Sequence, residues 1–197
     1  MKKISINLKK YKDILKVDYE FNASFRNCKK LPKSFTNSYE WKIIKCYRLF
    51  QVCQETIFEK ILDKKLKRYE LKTGICFEGN TTIGKGLIIG HWGRIIINKE
   101  AVLGNGIFIT HGVTIGRDIR GKRKGCPIIG NNVCIRNNST IVGHIKIGDD
   151  VLIAPNTFVN FDVPSHSIVI GNPASIHYKE NATEGHLGKL NINNLEK

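Results

Sequence analysis

The sequence predicts a mainly β protein, a parallel β-helix preceded by a helical N-terminal region. Two observations predict it: an apolar residue returns every six positions over much of the chain, and apolar residues at helical spacing precede that region. A period of six fits neither a helix, which repeats at about 3.6 residues, nor an ordinary strand, which repeats at about 2. It fits a chain that winds around a triangular prism, with one hexapeptide on each side.

The period of six runs in two series separated by a basic break. Each residue of a series is expected to point into the prism and to stack on its equivalents one coil above and below. Many repeats also carry Gly, Asn or Asp where the chain would turn a corner, and these residues tolerate left-handed backbone conformations. Together the two series predict a solenoid over residues 73–178. The first series comprises Phe77, Ile83, Ile89, Ile95, Ala101, Ile107 and Val113, and the second comprises Ile129, Ile135, Ile141, Ile147, Ile153 and Val159.

The break, residues 117–127, reads RDIRGKRKGCP and is predicted to be a loop that leaves one corner of the prism. Six of its eleven residues are Arg, Lys or Asp, so a solvated excursion explains it. Long loops on a rigid scaffold also carry function, and a flap over an active site is the alternative. The sequence leaves both interpretations open.

Residues 1–72 are predicted to form a helical region. In Ser38–Leu71 apolar residues recur at helical spacing, which predicts one long helix with Asn37–Ser38 as its N-cap. A shorter helix is expected from Asn7 to Asn22. The polar tail, residues 179–197, is expected to leave the solenoid.

The net charge of +15 attracts polyanions such as nucleic acid, an acidic membrane face or a phosphorylated cofactor, although it also serves solubility alone. The six cysteines include no CxxC pair, and we expect no metal site. The sequence shows neither a signal peptide nor an apolar run of the roughly 20 residues that span a bilayer. We expect a cytoplasmic protein, with peripheral association at the inner face of the membrane as the alternative.

Four segments of the periodic region carry a resemblance to a known family. They read IGKGLIIGHWGRIIIN (Ile83–Asn98), ITHGVTIG (Ile109–Gly116), PIIGNNVCI (Pro127–Ile135) and IVIGNPASI (Ile168–Ile176). With them the chain resembles the hexapeptide-repeat acyltransferases, specifically their serine acetyltransferase-like branch. The resemblance implies a left-handed β-helix, a homotrimer or a dimer of trimers, and acetyl-CoA as co-substrate in the groove between adjacent prisms.

The resemblance places the catalytic base at His91, in the segment GHWG. The chemistry suits a histidine, because a neutral imidazole can remove the proton of a hydroxyl as its oxygen attacks a thioester. His111 follows about one coil later, so it either shares the active site or is a corner histidine without a role in proton transfer. The carboxylate that orients the base in the family falls at Cys76, and Glu78, on the same side of a strand, is its expected replacement.

Some positions depart from the serine acetyltransferase pattern. The Asp that helps to bind the amino acid is replaced by Gly90, and an Arg-His pair is replaced by Gly125 and Cys126. A zwitterion needs charged partners when it leaves water, so these losses predict weak binding of serine. Trp92 either stacks on a sugar ring or packs at a corner. We therefore predict a sugar or polysaccharide acceptor, with Gly90, Trp92 and Cys126 in its binding site.

Acetyl-CoA is expected to lie along successive coils. Its pantetheine arm can run beside the prism as a strand-like partner where side chains are small, and basic side chains can hold its phosphates. The positions that match the family pattern, or that supply such a charge, are Thr114, Gly116, Arg117, Arg136, Asn137 and Pro155.

The sequence thus predicts an acetyl-CoA-dependent O-acetyltransferase that acts on a hydroxyl of a sugar or a cell-surface polysaccharide, or of its precursor, by direct attack on the thioester. The alternative is a serine O-acetyltransferase of cysteine biosynthesis. A third interpretation, a noncatalytic β-helix that binds nucleic acid, rests on charge alone. No helix-turn-helix, zinc-finger or RNP motif supports it, so we expect no nucleic-acid partner.

Overall fold

The computed structural model describes residues 7–77 and 81–190. Within them, four helices precede strands that wind into a parallel β-solenoid, which confirms the predicted left-handed β-helix fold class. No helix of this part of the chain is long and apolar enough to cross a membrane. The helices are α1 (Leu8–Phe25), α2 (Lys33–Thr36), α3 (Tyr39–Cys53) and α4 (Glu59–Thr73). The strands are β1 (Ile75–Phe77), β2 (Thr82–Ile83), β3 (Ile88–Ile89), β4 (Ile95–Ile97), β5 (Val102–Leu103), β6 (Phe108–Ile109), β7 (Thr114–Gly116), β8 (Ile128–Ile129), β9 (Cys134–Ile135), β10 (Thr140–Val142), β11 (Lys146–Ile147), β12 (Val151–Ile153), β13 (Phe158–Val159), β14 (Ser167–Gly171) and β15 (Ala174–Tyr178).

The helical region begins as predicted and then departs from the prediction. Ser38 caps α3, because its hydroxyl accepts a hydrogen bond from the backbone N–H of Trp41 at 3.3 Å. The single helix predicted over Ser38–Leu71 is wrong, since a turn at residues 54–58 divides it into α3 and α4. The turn lets Leu66 of α4 join the core that also contains Trp41. One straight helix could not bury both halves of the apolar stripe against the same core.

The strands form the three sides of a prism. In the described part of the chain, the sheets have the orders β1-β4-β7-β10-β13, β11-β8-β5-β2 and β15-β14-β12-β9-β6-β3. Neighbouring strands are parallel, except that β15 runs antiparallel to β14. Every member of the two apolar series is buried, so the residues predicted to fill the prism do so.

The stacking partners of the first series differ from the prediction. Phe77 pairs with Ile97, whereas a coil of about eighteen residues would have placed Ile95 beside it. The first coil is two residues longer, and the turn between β3 and β4 within this coil contains His91. The period of six does not show this extra length, because β4 buries both Ile95, which is in phase with the series, and Ile97, which pairs with Phe77.

A buried ion pair fastens the helical region to the β-helix. The side chains of Arg48 in α3 and Asp18 in α1 are fully buried, and Nε of Arg48 donates to Oδ2 of Asp18 at 2.7 Å. The guanidinium also donates to the carbonyl oxygens of Ile83 and Gly84 at 2.7 and 2.6 Å. The carboxylate accepts from the backbone N–H of Gly86 at 2.8 Å. Both buried charges therefore have the hydrogen-bond partners that burial requires.

The predicted departure of the tail is wrong for residues 179–190, which fold back onto the solenoid. The carboxylate of Asp150 anchors this segment by accepting from the backbone N–H groups of Ala182 and Thr183 at 2.9 and 3.0 Å. Ala182 is then buried in a cluster with Phe21 of α1. These contacts could not be predicted from the sequence, because only a few apolar residues of a mostly polar segment make them.

The break at residues 117–127 forms a loop between β7 and β8, as predicted. Asp118 and Gly125 pair across its base, and each backbone N–H donates to the carbonyl oxygen of the other at 2.9 and 3.0 Å. The loop returns against the turn between β10 and β11, where the backbone N–H of His144 donates to the carbonyl oxygen of Arg123 at 2.8 Å.

Candidate active site

One corner of the prism carries both candidate catalytic histidines. Strands β3, β6, β9 and β12 pair in register, so the residues two places beyond the end of each strand are equivalent in successive coils. These residues are His91, His111, Asn137 and Pro155. The structure thus aligns four of the predicted site residues in one column, which we call the histidine column.

The rings of His91 and His111 face each other in an edge arrangement. Their centroids are 6.1 Å apart, the rings are inclined at 68°, and both side chains are exposed. Their separation in sequence equals the length of the first coil, which is why they meet. A hydroxyl bound at this corner can contact either ring, so one imidazole can act as general base while the other holds the acceptor.

Gly90 leaves no room for a side chain next to His91. A Cβ atom at this position would lie 2.7 Å from Cζ of Phe108 and 3.0 Å from Cγ2 of Thr110. The ring of Phe108 packs in turn against Phe25, at 4.8 Å between centroids. The position at which the resemblance expects an Asp is therefore filled by an aromatic ring.

Thr110 is a residue of this corner that sequence reasoning missed. Its side chain is 5% exposed, and its Oγ1 is buried without a hydrogen-bond partner in the described part of the chain. A buried hydroxyl without a partner costs about 1–3 kcal/mol, and most buried polar groups are paired. The available sequence signal was a polar residue between the apolar end of β6 and His111.

Arg26, which directly follows α1, is a second residue that the sequence did not reveal. Its contact with Ile89 joins two segments that are far apart in the chain. Its Nη2 lies 3.5 Å from the carbonyl oxygen of Ile89, and its guanidinium carbon lies 3.7 Å from the ring centroid of Phe35. Burial lowers the pKa of Arg26 from its ordinary value, and Glu40 opposes that shift. Because an arginine stays charged at neutral pH, Arg26 places a positive charge beside the backbone that leads to the histidine column.

Three other predicted residues have distinct surroundings. Trp92 is half exposed in the turn after β3. Cys126 is buried, and its Sγ lies 3.2 Å from Oδ1 of Asn98. Arg117 forms an ion pair with Glu100, with Nη1 and Oε1 3.2 Å apart.

The remaining predicted residues belong to the neighbouring strands. Thr114 and Gly116 lie in β7, which begins three residues beyond His111. The guanidinium carbon of Arg136 lies 5.6 Å from the ring centroid of Phe108. Glu78 lies outside the described residues, so its role as orienting carboxylate stays a prediction. Within the described residues no group of three or more His, Cys, Asp or Glu side chains is placed to hold a metal ion.

The β-helix and its period of six are of the kind found in hexapeptide-repeat transferases, and comparisons with known proteins agree. Residues 126–160 match the family described as "Bacterial transferase hexapeptide (six repeats)". The serine acetyltransferase of Staphylococcus epidermidis is 30% identical over 174 residues, which cover 88% of this chain and 80% of that protein. Serine acetyltransferase 2 of Arabidopsis thaliana is 41% identical over 105 residues, which cover 52% of this chain and 32% of that protein.

A solved structure shows the same relationship. The crystal structure of Neisseria gonorrhoeae serine acetyltransferase in complex with serine is 25% identical, with a TM-score of 0.72, and the match covers 86% of this chain and 69% of that one. The chain therefore belongs to the serine acetyltransferase family of hexapeptide-repeat transferases. It matches less than a third of the length of its Arabidopsis relatives.

The prediction of a sugar or polysaccharide acceptor is wrong. The similar proteins are serine acetyltransferases, whose acceptor is serine, and the solved relative contains serine. The prediction rested on lost charges at Gly90 and at Gly125–Cys126. In the structure Phe108 fills the space beside Gly90, and the charge of Arg26 lies beside the carbonyl oxygen of Ile89, the residue before Gly90. The local sequence around His91 shows neither feature.

Proposed function

We propose that the protein is a serine O-acetyltransferase of cysteine biosynthesis, with acetyl-CoA as the acetyl donor. The similarity to serine acetyltransferases over most of the chain supports both substrates. The observation that carries the proposal is the exposed pair of imidazoles, His91 and His111, at 6.1 Å on one corner of the β-helix.

In the proposed reaction an imidazole nitrogen of His91 takes the proton of the serine hydroxyl while the oxygen attacks the thioester carbonyl carbon. A C–O bond forms, and the carbonyl oxygen becomes an oxyanion that hydrogen-bond donors stabilise. The C–S bond then breaks as the carbonyl reforms, and the leaving sulfur takes the proton from the imidazolium. The products are O-acetylserine and CoA, and His91 returns to its neutral form.

The donor is proposed to lie along the histidine column and the adjoining strand β7. Asn137 and Pro155 continue the column beyond the two histidines, in a direction that suits an extended pantetheine arm. Gly116, the last residue of β7, leaves the end of this strand without a side chain. Arg136 and Arg117 provide positive charge for the phosphates of acetyl-CoA, although Arg117 also forms an ion pair with Glu100.

The test is an acetyl-transfer assay with the full chain. We expect L-serine to accelerate release of the CoA thiol from acetyl-CoA, with O-acetylserine identified by mass spectrometry. L-alanine is the matched control, because it has the same charged groups and no hydroxyl. Thiol release that is no faster with serine than with alanine would contradict the proposal.

We expect His111→Asn to lower kcat/KM for serine by about tenfold, which corresponds to the loss of about 1.4 kcal/mol of transition-state stabilisation. The physical reason is that the second imidazole of the column contacts the acceptor without accepting its proton. His177→Asn, in β15, is the matched control and should leave kcat/KM unchanged. An unchanged kcat/KM in His111→Asn would show that His111 is a corner residue without a role in the reaction.

We propose that Arg26 binds the carboxylate of serine, and we expect Arg26→Met to raise KM for serine by about tenfold because this charge-assisted hydrogen bond is lost. The methionine stem keeps the packing on Phe35, so kcat should change much less than KM. Arg123→Met, in the exposed loop, removes the same charge elsewhere and should leave KM unchanged. Equal KM values for the two variants would rule out this role for Arg26.

A further inference from the structure

The hydroxyl of Thr110 has no structural task within the described chain. Its Oγ1 is buried and makes no hydrogen bond, so it caps no helix and bridges no pair of strands. A valine would fill the same volume without burying a polar atom. The presence of a threonine here therefore calls for a partner outside the described residues.

The placement of Thr110 points to the catalytic corner. Thr110 directly precedes His111, and its Cγ2 lies 3.0 Å from the position that a Cβ atom of Gly90 would take. The side chain therefore faces the backbone that leads to His91. Rotation of χ1 by one staggered step moves Oγ1 to the place of Cγ2, which brings the hydroxyl toward Gly90, while the methyl group takes the place of the hydrogen on Cβ.

We propose that the Thr110 hydroxyl is a substrate-binding group that hydrogen-bonds a charged group of the acceptor at the histidine column. The inference rests on the proposed function, in which the acceptor is serine. A zwitterion that leaves water needs polar partners, and Gly90 and Gly125 supply no side chain for this purpose. A hydroxyl is both a donor and an acceptor, so it can serve either the carboxylate or the ammonium group.

The test compares Thr110→Val, which removes the hydroxyl and keeps the shape, with Thr110→Ser, which keeps the hydroxyl. We expect Thr110→Val to raise KM for serine by about tenfold, the equivalent of one hydrogen bond, and to leave KM for acetyl-CoA unchanged. Its melting temperature should equal or exceed that of the wild type, because an unpaired buried hydroxyl is gone. Thr110→Ser should keep the wild-type KM for serine.

An unchanged KM for serine in Thr110→Val would overturn the proposal, and so would a rise in KM for acetyl-CoA instead. A melting temperature well below that of the wild type would also overturn it, since the hydroxyl would then have a structural role. If the wild type shows no turnover with serine, the proposed function fails and this inference fails with it. If the wild type turns over serine and the two variants behave alike, the inference alone fails.

Analogues of serine identify the group that Thr110 contacts. Ethanolamine lacks the carboxylate and 3-hydroxypropionate lacks the ammonium group, while both keep a hydroxyl. We expect the effect of Thr110→Val on KM to disappear with the analogue that lacks the contacted group. An effect of equal size on both analogues would contradict a hydrogen bond to either charged group and overturn the proposal.

Discussion

Replacing His91 with alanine is expected to lower kcat for acetyl transfer to serine by about two to four orders of magnitude. The loss is large because an alcohol is a weak nucleophile, and the substitution removes the group that takes its proton as it attacks the thioester. The KM values for serine and acetyl-CoA should change little, since the imidazole acts mainly in the transition state. Steady-state release of the CoA thiol measures all three constants.

The fold should survive this substitution, because His91 is exposed in the turn after β3. The melting temperature and the native mass of His91→Ala are therefore expected to equal those of the wild type. His144→Ala is the matched control, since His144 is also exposed in a turn of the β-helix but lies outside the histidine column. If His91→Ala keeps kcat within about tenfold of the wild type, the general base is another group.

The fold could be predicted because burial imposes the period of six on the sequence. Each side of the prism must place an apolar side chain inside, and no helix or isolated strand repeats at that interval. The length of the first coil could not be predicted in the same way. Since β4 buries both Ile95 and Ile97, the series stays in phase whichever of the two stacks on Phe77.

The candidate site could be predicted only where it follows the repeat. His91 and His111 occupy equivalent places in successive coils, so their proximity is encoded in their spacing. Arg26 and Thr110 are different, because the roles proposed for them depend on contacts between separate segments. Arg26 reaches the carbonyl oxygen of Ile89 across 63 positions of the chain. No local pattern reports such a contact, and the charge missing beside His91 therefore led to the wrong acceptor.

The helix α1 links the stability of the fold to the geometry of the site. Asp18 lies within this helix and forms the buried ion pair with Arg48. Phe25, the last residue of α1, packs against Phe108, and Arg26 follows it directly. A change that loosens α1 from the β-helix should therefore also displace the guanidinium of Arg26 from the carbonyl oxygen of Ile89.

We expect Arg48→Met to lower the free energy of unfolding by about 3–5 kcal/mol, measured by chemical denaturation. The methionine leaves the Asp18 carboxylate buried without its cation. It also removes the guanidinium donors from the carbonyl oxygens of Ile83 and Gly84, of which Ile83 keeps a hydrogen bond from Nε2 of Gln51. Uncompensated buried polar groups are among the few causes of losses this large.

A double variant separates the cost of an unpaired charge from the net contribution of the pair. Arg48→Met combined with Asp18→Leu should be more stable than Arg48→Met alone, because no charge then remains buried.

Lys67→Met is the matched control for Arg48→Met. Lys67 pairs with Asp63 on the exposed face of α4, where water solvates both charges, and its loss should leave stability unchanged. A loss below about 1 kcal/mol in Arg48→Met would mean that water or a rearranged side chain replaces the guanidinium. Because Arg26 directly follows α1, the loss of about 3–5 kcal/mol of stability should be accompanied by a raised KM for serine.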